Sequence, residues 1–284
     1  MNNVQVRLLL FFIALPLLAC MLLFLPFFQY GAFSFLCMAA AGIAALELGN
    51  IFKNRGTFLV KPVVFFLGML GPLSAYGEVL GIWNFSLSSV FYLILLACLF
   101  SLEIVKKHET DFSASLPRMA AYTFIALYPG IFSSFVVRLA RFPQAGILIL
   151  VFLLTTFLND SFAWTFGMLF GKNNRNILVV SPNKSLVGFI FGFFASILVM
   201  VVSCMLFPAL FPFSLGTAVL FGCILGITTL LGDLIESVIK RSGAVKDSGA
   251  IIPGRGGLLD SIDSPLFNAP FFFYLYHWFS GIGL

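Results

Sequence analysis

The stretch Gly232–Ser264 reads GDLIESVIKRSGAVKDSGAIIPGRGGLLDSIDS and holds nine of the chain's 27 charged residues. Five are acids (Asp233, Glu236, Asp247, Asp260, Asp263) and four are bases (Lys240, Arg241, Lys246, Arg255). On a helix, Asp233, Glu236, Ser237 and Lys240 stand at i, i+3, i+4 and i+7 and share one face. Ser242-Gly243 ends that helix, and Pro253-Gly254-Arg255-Gly256-Gly257 makes a flexible turn. Asp260 and Asp263 repeat the i, i+3 spacing at the start of the last apolar run. Two carboxylate pairs flanking a glycine-rich basic loop suit one kind of chemistry. Magnesium sites use one or two carboxylates plus substrate phosphates. Glycine lets backbone N–H groups close on phosphate oxygens, which Lys and Arg neutralise. The expectation is metal-assisted transfer at a phosphate. A solvated loop contains the same residue types, but the density of charge here sets this stretch apart.

Asp160, next to Asn159, lies inside an apolar run, where a charge is costly and points to function. Ser181-Pro182-Asn183-Lys184-Ser185 offers a lysine and hydroxyls to a phosphate, a weak signal by itself. Glu47 and Glu103, at the ends of apolar runs, read as ordinary interfacial acids. Gly167-x-x-x-Gly171-Lys172 is one residue short of a phosphate-binding Walker loop and lacks the following hydroxyl residue. It reads as helix packing, as do Gly188-x-x-x-Gly192 and Gly222-x-x-x-Gly226. Cys20, Cys37, Cys98, Cys204 and Cys223 all lie in apolar runs without CxxC spacing, which argues against a disulfide framework or thiolate site. With two histidines, a His-based zinc site is not expected, and His277 and Trp278 read as interface anchors.

The elements that must carry these residues are membrane helices. Apolar residues make up 61% of the 284 positions and charged residues 10%, with a mean hydropathy of +1.08. An ordinary soluble domain carries about 25% charged residues. Soluble, fibrous, disordered and nucleic-acid-binding classes fall on these numbers, despite a pI near 9.0. A span needs about 20 mostly apolar residues. Nine runs qualify: Leu8–Phe28, Gly31–Leu48, Pro62–Ile82, Leu87–Ile104, Met119–Val137, Gln144–Phe170, Leu186–Phe207, Ser214–Ile235 and Pro265–Gly281. With the N-terminus in the cytoplasm, 14 Lys and Arg fall on the inner side, from Arg7 to Arg255, and only Arg138 and Arg141 on the outer. This positive-inside bias predicts an all-α, polytopic protein of about nine spans with its C-terminus outside. Leu17-Leu18-Ala19-Cys20 is a loose lipoprotein-type box, but the run stays apolar through Phe28, so a plain first span is expected. Residues 1–143 form a scaffold of about five helices. Residues 144–284 form a catalytic region of about four, with a cytoplasmic loop at 236–264.

The charged motifs resemble those of the phosphatidate cytidylyltransferases (CDP-diacylglycerol synthases). That family's signature runs S-x-x-K-R, four residues, K-D-x-G, then P-G-H-G-G, an apolar pair and D-R-x-D-S. Here the order is Ser237-x-x-Lys240-Arg241, Lys246-Asp247-x-Gly249, then Pro253-Gly254-Arg255-Gly256-Gly257 and Asp260-Ser261-Ile262-Asp263-Ser264. Upstream, Asp160-x-x-Ala163 with Gly167, Phe170, Gly171 and Lys172 resembles its D-x-x-A-Y…FGK element, and Ser181–Gly188 its S-P-K-K-T-x-E-G. The resemblance covers about 105 residues from Asp160 to Ser264. Arg255 stands where the family has His, Ser261 where it has Arg, and Val187 where it has an acid. Arg255 either supplies the missing charge from the other end of the turn, or the chain has diverged in substrate or activity.

The resemblance implies attack of a phosphatidate oxygen on the α-phosphorus of CTP, with CDP-diacylglycerol and pyrophosphate as products. It implies a multi-pass protein of the cell's inner membrane with its active site facing the cytoplasm. Asp233 and Asp260 would hold Mg²⁺ or another divalent metal, with Asp263, Asp247 and Glu236 as neighbouring ligands or supports. Asp233, Asp260, Lys240 and Arg241 would be the catalytic set. Lys184, Lys246 and Arg255, with Asp160, Ser181, Ser237, Gly256 and Gly257, would line the substrate site. A second cation and pairing of two chains stay open. Two rivals also stay open: a CTP-using polyprenol- or phytol-type lipid kinase that releases CDP, and a transporter or non-catalytic membrane subunit using the acids for ions.

Overall fold

The computed structural model describes residues 3–104, 112–175 and 177–282, with side chains from Ile13 onward. Lys106 and Lys107, counted above on the inner side, lie outside the described residues, as does the side chain of Arg7. The described residues form nine helices: α1 (Asn3–Phe24), α2 (Phe27–Lys53), α3 (Lys61–Val79), α4 (Phe85–Ile104), α5 (Ser115–Arg141), α6 (Ala145–Phe170), α7 (Leu186–Leu206), α8 (Leu215–Ser242) and α9 (Leu259–Ser280). The only extended pairing among them is two isolated bridges, Arg175 with Ser185 and Ile252 with Gly256. Each apolar run thus becomes a helix, and α2 to α8 are long and apolar enough to cross a membrane.

The boundaries shift where charge interrupts the apolar run. The α8 helix continues past Ile235 to Ser242, because Glu236 and Lys240 pair with each other one turn apart. The α9 helix starts at Leu259, before the apolar run that opens at Pro265. Over Ala126–Ile131, α5 widens into a π-turn around Pro129, whose missing N–H cannot hold the ordinary ladder.

Helices α6, α7, α8 and α9 pack in chain order. A Cβ on Gly188 or Gly192 would strike the α6 backbone at Ala163 or Asn159, and one on Gly222 or Gly226 would strike Ile197 or Phe193 of α7. The glycine pairs therefore serve close helix contact. Asn159 Nδ2 donates to Ser196 Oγ at 2.8 Å, and Asn268 Nδ2 to Thr229 Oγ1 at 3.0 Å, tying α6 to α7 and α8 to α9. The phenylalanines divide between two duties: Phe152, Phe221 and Phe272 are fully buried in this bundle, while Phe24 and Phe28 are exposed. A second core joins Leu48 of α2, Leu67 of α3 and Ile125 of α5 to Leu259 and Leu266 of α9. The two cores meet along α9 between Leu266 and Ala269, and the charged loop closes over the start of that helix.

Arg138 is not a loop charge. It is 3% exposed and forks onto Glu78, with Nε–Oε2 and Nη2–Oε1 both at 2.8 Å. Glu103 departs from its reading as an ordinary interfacial acid: it is 8% exposed and binds Arg118 at 2.7 Å.

Candidate active site

Asp260 occupies the first turn of α9, ahead of the apolar run. Its Oδ1 meets Lys240 Nζ at 2.5 Å. Its Oδ2 accepts from Ser248 N at 2.9 Å, Ser248 Oγ at 2.9 Å and Gly257 N at 2.7 Å. Burial pushes this carboxyl up, but the hydrogen bond and charge of Lys240 outweigh it and hold it below the ordinary aspartate value. The glycine turn makes the enclosure possible. Gly256 has φ +115°, and a Cβ there would come within 2.6 Å of Asp260 Oδ2. The N–H groups of this turn face inward: Gly256 N donates to Ile252 O at 3.0 Å and Gly257 N to Asp260. Gly256 and Gly257 thus shape the loop around Asp260, with their own N–H groups already partnered.

Glu47 departs from its reading as an ordinary interfacial acid. It is 4% exposed, and it reaches from α2 into the loop. Its carboxylate accepts from Ser248 Oγ at 3.1 Å, Leu258 N at 2.9 Å and Leu259 N at 2.8 Å. The last two are free N–H groups at the N-terminus of α9, where a negative charge is favoured. Gly249 and Gly257 crowd the same carboxylate so closely that neither has room for a side chain. Two more α2-end contacts brace the loop: Arg55 Nε donates to Ser242 O, and Ile51 fills the space beside Gly243.

The remaining acids gather below this loop. Lys184, lifted by the turn in which its N–H donates to Ser181 O at 3.1 Å, pairs with Asp233. Lys240 pairs with fully buried Glu236 as well as with Asp260. Asp160 accepts from Ser264 Oγ at 3.2 Å, and Asp263 Oδ1 from Ser264 N at 2.8 Å. Ser264 thus joins Asp160 of α6 to Asp263 of α9. Ser237 is buried beside them on the expected α8 face. Arg241, Lys246 and Asp247 are exposed, with Arg241 turned back toward Val245 O at 3.5 Å. The structure therefore brings together Asp160, Lys184, Asp233, Glu236, Lys240, Asp260 and Asp263, and leaves those three on the rim.

Among the described residues, no three acids converge on one point where an ion would sit. The donor chemistry nevertheless fits a hard divalent cation. The donors are all oxygen, and the buried Glu236 Oε1 has no hydrogen-bond partner. An ion here would take protein carboxylates in ones and twos and complete its shell from substrate phosphates.

The family model described as the Cytidylyltransferase family matches residues 5–279. The chain belongs to the cytidylyltransferase family. A Staphylococcus haemolyticus protein named phosphatidate cytidylyltransferase is 34% identical over 263 residues, 90% of this chain and 95% of that one. A protein of that name from Staphylococcus aureus (strain COL) is 43% identical over 124 residues, 43% of this chain and 46% of that one. The Escherichia coli K12 protein YnbB, described as uncharacterized, is 42% identical over 132 residues, 46% and 43% of the two chains. The matched segments thus span under half of the latter two relatives and nearly all of the first. As a member of this family the chain is a nucleotidyltransferase, and its sharpest polar geometry is the loop that Glu47 and Asp260 hold between them. The signal for Glu47 was a lone acid at a helix end; its partners lie 201 to 212 positions away.

Proposed function

We propose that this chain transfers the cytidylyl group of CTP to phosphatidate, giving CDP-diacylglycerol and pyrophosphate. A phosphatidate oxygen attacks the α-phosphorus, and the bond from that phosphorus to the bridging oxygen breaks. Pyrophosphate leaves with the electron pair. The observation that carries this reading is the lysine–carboxylate cluster of Lys184–Asp233 and Glu236–Lys240–Asp260 at the mouth of the bundle. The family match over residues 5–279 and the full-length relative named phosphatidate cytidylyltransferase support it.

Asp233 and Asp260 would hold Mg²⁺, with Asp263 and Glu236 as neighbouring ligands or supports, and Asp247 sits at the rim within reach of an incoming triphosphate. When bound, that ion supplies neutralisation of the charge that builds on the phosphates. The residues of the chain do the rest. Lys184 and Lys240 would give substrate phosphate oxygens the charge that they now give Asp233, Glu236 and Asp260. Arg241 and Lys246 at the rim, with half-buried Arg255 of the glycine turn, draw the triphosphate in. Ser181 and Ser237 offer hydroxyls to the same phosphates. Asp160, bonded to Ser264, lies beside Asp263 below the loop. Gly256 and Gly257 keep the turn tight enough to exclude water from Asp260.

Orientation follows from charge. We read the protein as spanning the membrane nine times, N-terminus in the cytoplasm, with the site at the inner leaflet. CTP then arrives from water while the acyl chains stay in lipid. The 14-to-2 distribution of Lys and Arg supports this, and burial of Arg138 leaves still less free positive charge on the outer side.

Purified protein in detergent, given CTP, Mg²⁺ and phosphatidate, should release pyrophosphate only when phosphatidate is present, and Asp260→Asn should abolish the release. Release of CDP with a polyprenol acceptor in place of pyrophosphate would identify a lipid kinase instead.

A further inference from the structure

The last two turns of α2 do different things on two faces. Glu47 and Ile51, four positions apart, meet the charged loop: Leu258 N and Leu259 N donate to Glu47, and Ile51 fills the space beside Gly243. Leu46, Asn50 and Lys53, at i, i+4 and i+7, form another face. With Phe58 from the following turn and Lys61 and Val64 from the first turn of α3, they line a cavity of about 140 Å³ between the two helix ends. None of the acids of the candidate active site lines it. It lies at the same end of the bundle as the charged loop, since Arg55 in the intervening turn donates to Ser242 O.

The lining divides by chemistry. Asn50, Lys53 and Lys61 bring donors, and all three are exposed. Leu46, Phe58 and Val64 bring apolar surface, and Phe58 is 68% exposed. No acid lines the cavity, and neither lysine pairs with one among the described residues. Glu47, the one acid of α2, is engaged by the loop. Lysines at the inner ends of spans are ordinary under the positive-inside bias. Two that line one small acid-free cavity repel each other unless an anion lies between them. Basic pockets between spans on the cytoplasmic side are where lipid headgroups bind. A free phosphate ion would use the lysines and leave the apolar wall bare; a phospholipid uses both.

We propose that this cavity binds the headgroup of an anionic phospholipid, its phosphate between Lys53 and Lys61 and its chains leaving along Phe58 and Val64. The lipid is a bound ligand here and is not consumed. Seated there, it steadies the end of α2 and, through Glu47, the loop around Asp260.

The test uses the full-length protein in neutral detergent, without CTP or metal. Phosphatidylglycerol should raise the midpoint of thermal unfolding saturably, as a ligand of the folded state does, and should slow amide exchange at Leu258 and Leu259. Phosphatidylcholine and inorganic phosphate should do neither. In Lys53→Gln with Lys61→Gln, half-saturation should need about 30-fold more phosphatidylglycerol, the loss expected for two lysines at a lipid surface. Lys172→Gln with Arg175→Gln removes the same charge from the turn after α6, where both residues are exposed, and should leave half-saturation unchanged. Stabilisation by inorganic phosphate would make this a free-anion site, and equal stabilisation by phosphatidylcholine would reduce it to apolar contact. An equal loss in the Lys172/Arg175 variant would make it a bulk charge effect. Each of these overturns the lipid site, as does a wild type that phosphatidylglycerol does not stabilise. Stabilisation with unaltered exchange at Leu258 and Leu259 overturns the brace through Glu47. Pyrophosphate release enters none of these readouts, so failure of the transferase reaction and failure of the lipid site are told apart.

Discussion

Glu47 and Asp260 share one hydroxyl: Ser248 Oγ lies 3.1 Å from Glu47 Oε2 and 2.9 Å from Asp260 Oδ2. A serine has one proton to give, so Ser248 serves one acid at a time while its backbone N–H stays on Asp260. The loop is thereby clamped from both sides, by α2 and by α9. Glu47→Gln keeps the volume but turns an amide toward N–H groups that need acceptors. It should cost about 1–3 kcal/mol of stability and slow pyrophosphate release roughly tenfold or more, since each 1.4 kcal/mol lost from the transition state is a factor of ten. Thermal unfolding and steady-state rates on the same preparation check both.

The two lysines should behave differently. Lys240 lies between Glu236 and Asp260, whose side chains are 0% and 6% exposed. Lys240→Met would leave two buried carboxylates facing each other, a loss of about 3–5 kcal/mol, and folded protein should fail to accumulate. Lys184 and Asp233 are 22% and 33% exposed, and such a pair contributes only about 0–1 kcal/mol. Lys184→Met should therefore fold normally, with the midpoint of unfolding little changed, and lose activity.

The helices were legible because a span demands a long apolar run, and every such run became a helix. The loop was legible because nine charges in one stretch stand out from so apolar a chain. Glu47 was not, since a single acid at a helix end looks the same whether it meets water or another helix's N-terminus. The role of Gly256 and Gly257 was half legible: glycine spacing announced a tight turn, but not that the N–H groups face Asp260 and Ile252. The extension of α8 past Ile235 escaped the apolar window because Glu236 and Lys240 hold the helix by charge.

Gly256 offers a test of the enclosure. Gly256→Ala adds a Cβ at φ +115° and within 2.6 Å of Asp260 Oδ2. Gly81 also has positive φ, +73°, but open space around it. Gly81→Ala should cost about 1–2 kcal/mol of backbone strain with catalysis intact. Gly256→Ala should abolish pyrophosphate release even under conditions where the protein remains folded.

The buried pair Arg138–Glu78 makes a stability prediction away from the site. Arg138→Met alone strands the Glu78 carboxylate and should destabilise by about 3–5 kcal/mol. The double change Arg138→Met with Glu78→Met should recover most of that loss, because neither charge is then left unpaired. Thermal unfolding of the two variants gives the answer, and the double variant should keep its turnover rate.

The central claim is that the α-phosphorus of CTP is the atom attacked. CTP labelled at the α-phosphorus, incubated with the protein, Mg²⁺ and phosphatidate, should transfer its label to the lipid fraction, while CTP labelled at the γ-phosphorus should leave the lipid unlabelled and place the label in pyrophosphate. Label from the γ-position in the lipid, or α-label that never leaves the aqueous phase, would contradict the account.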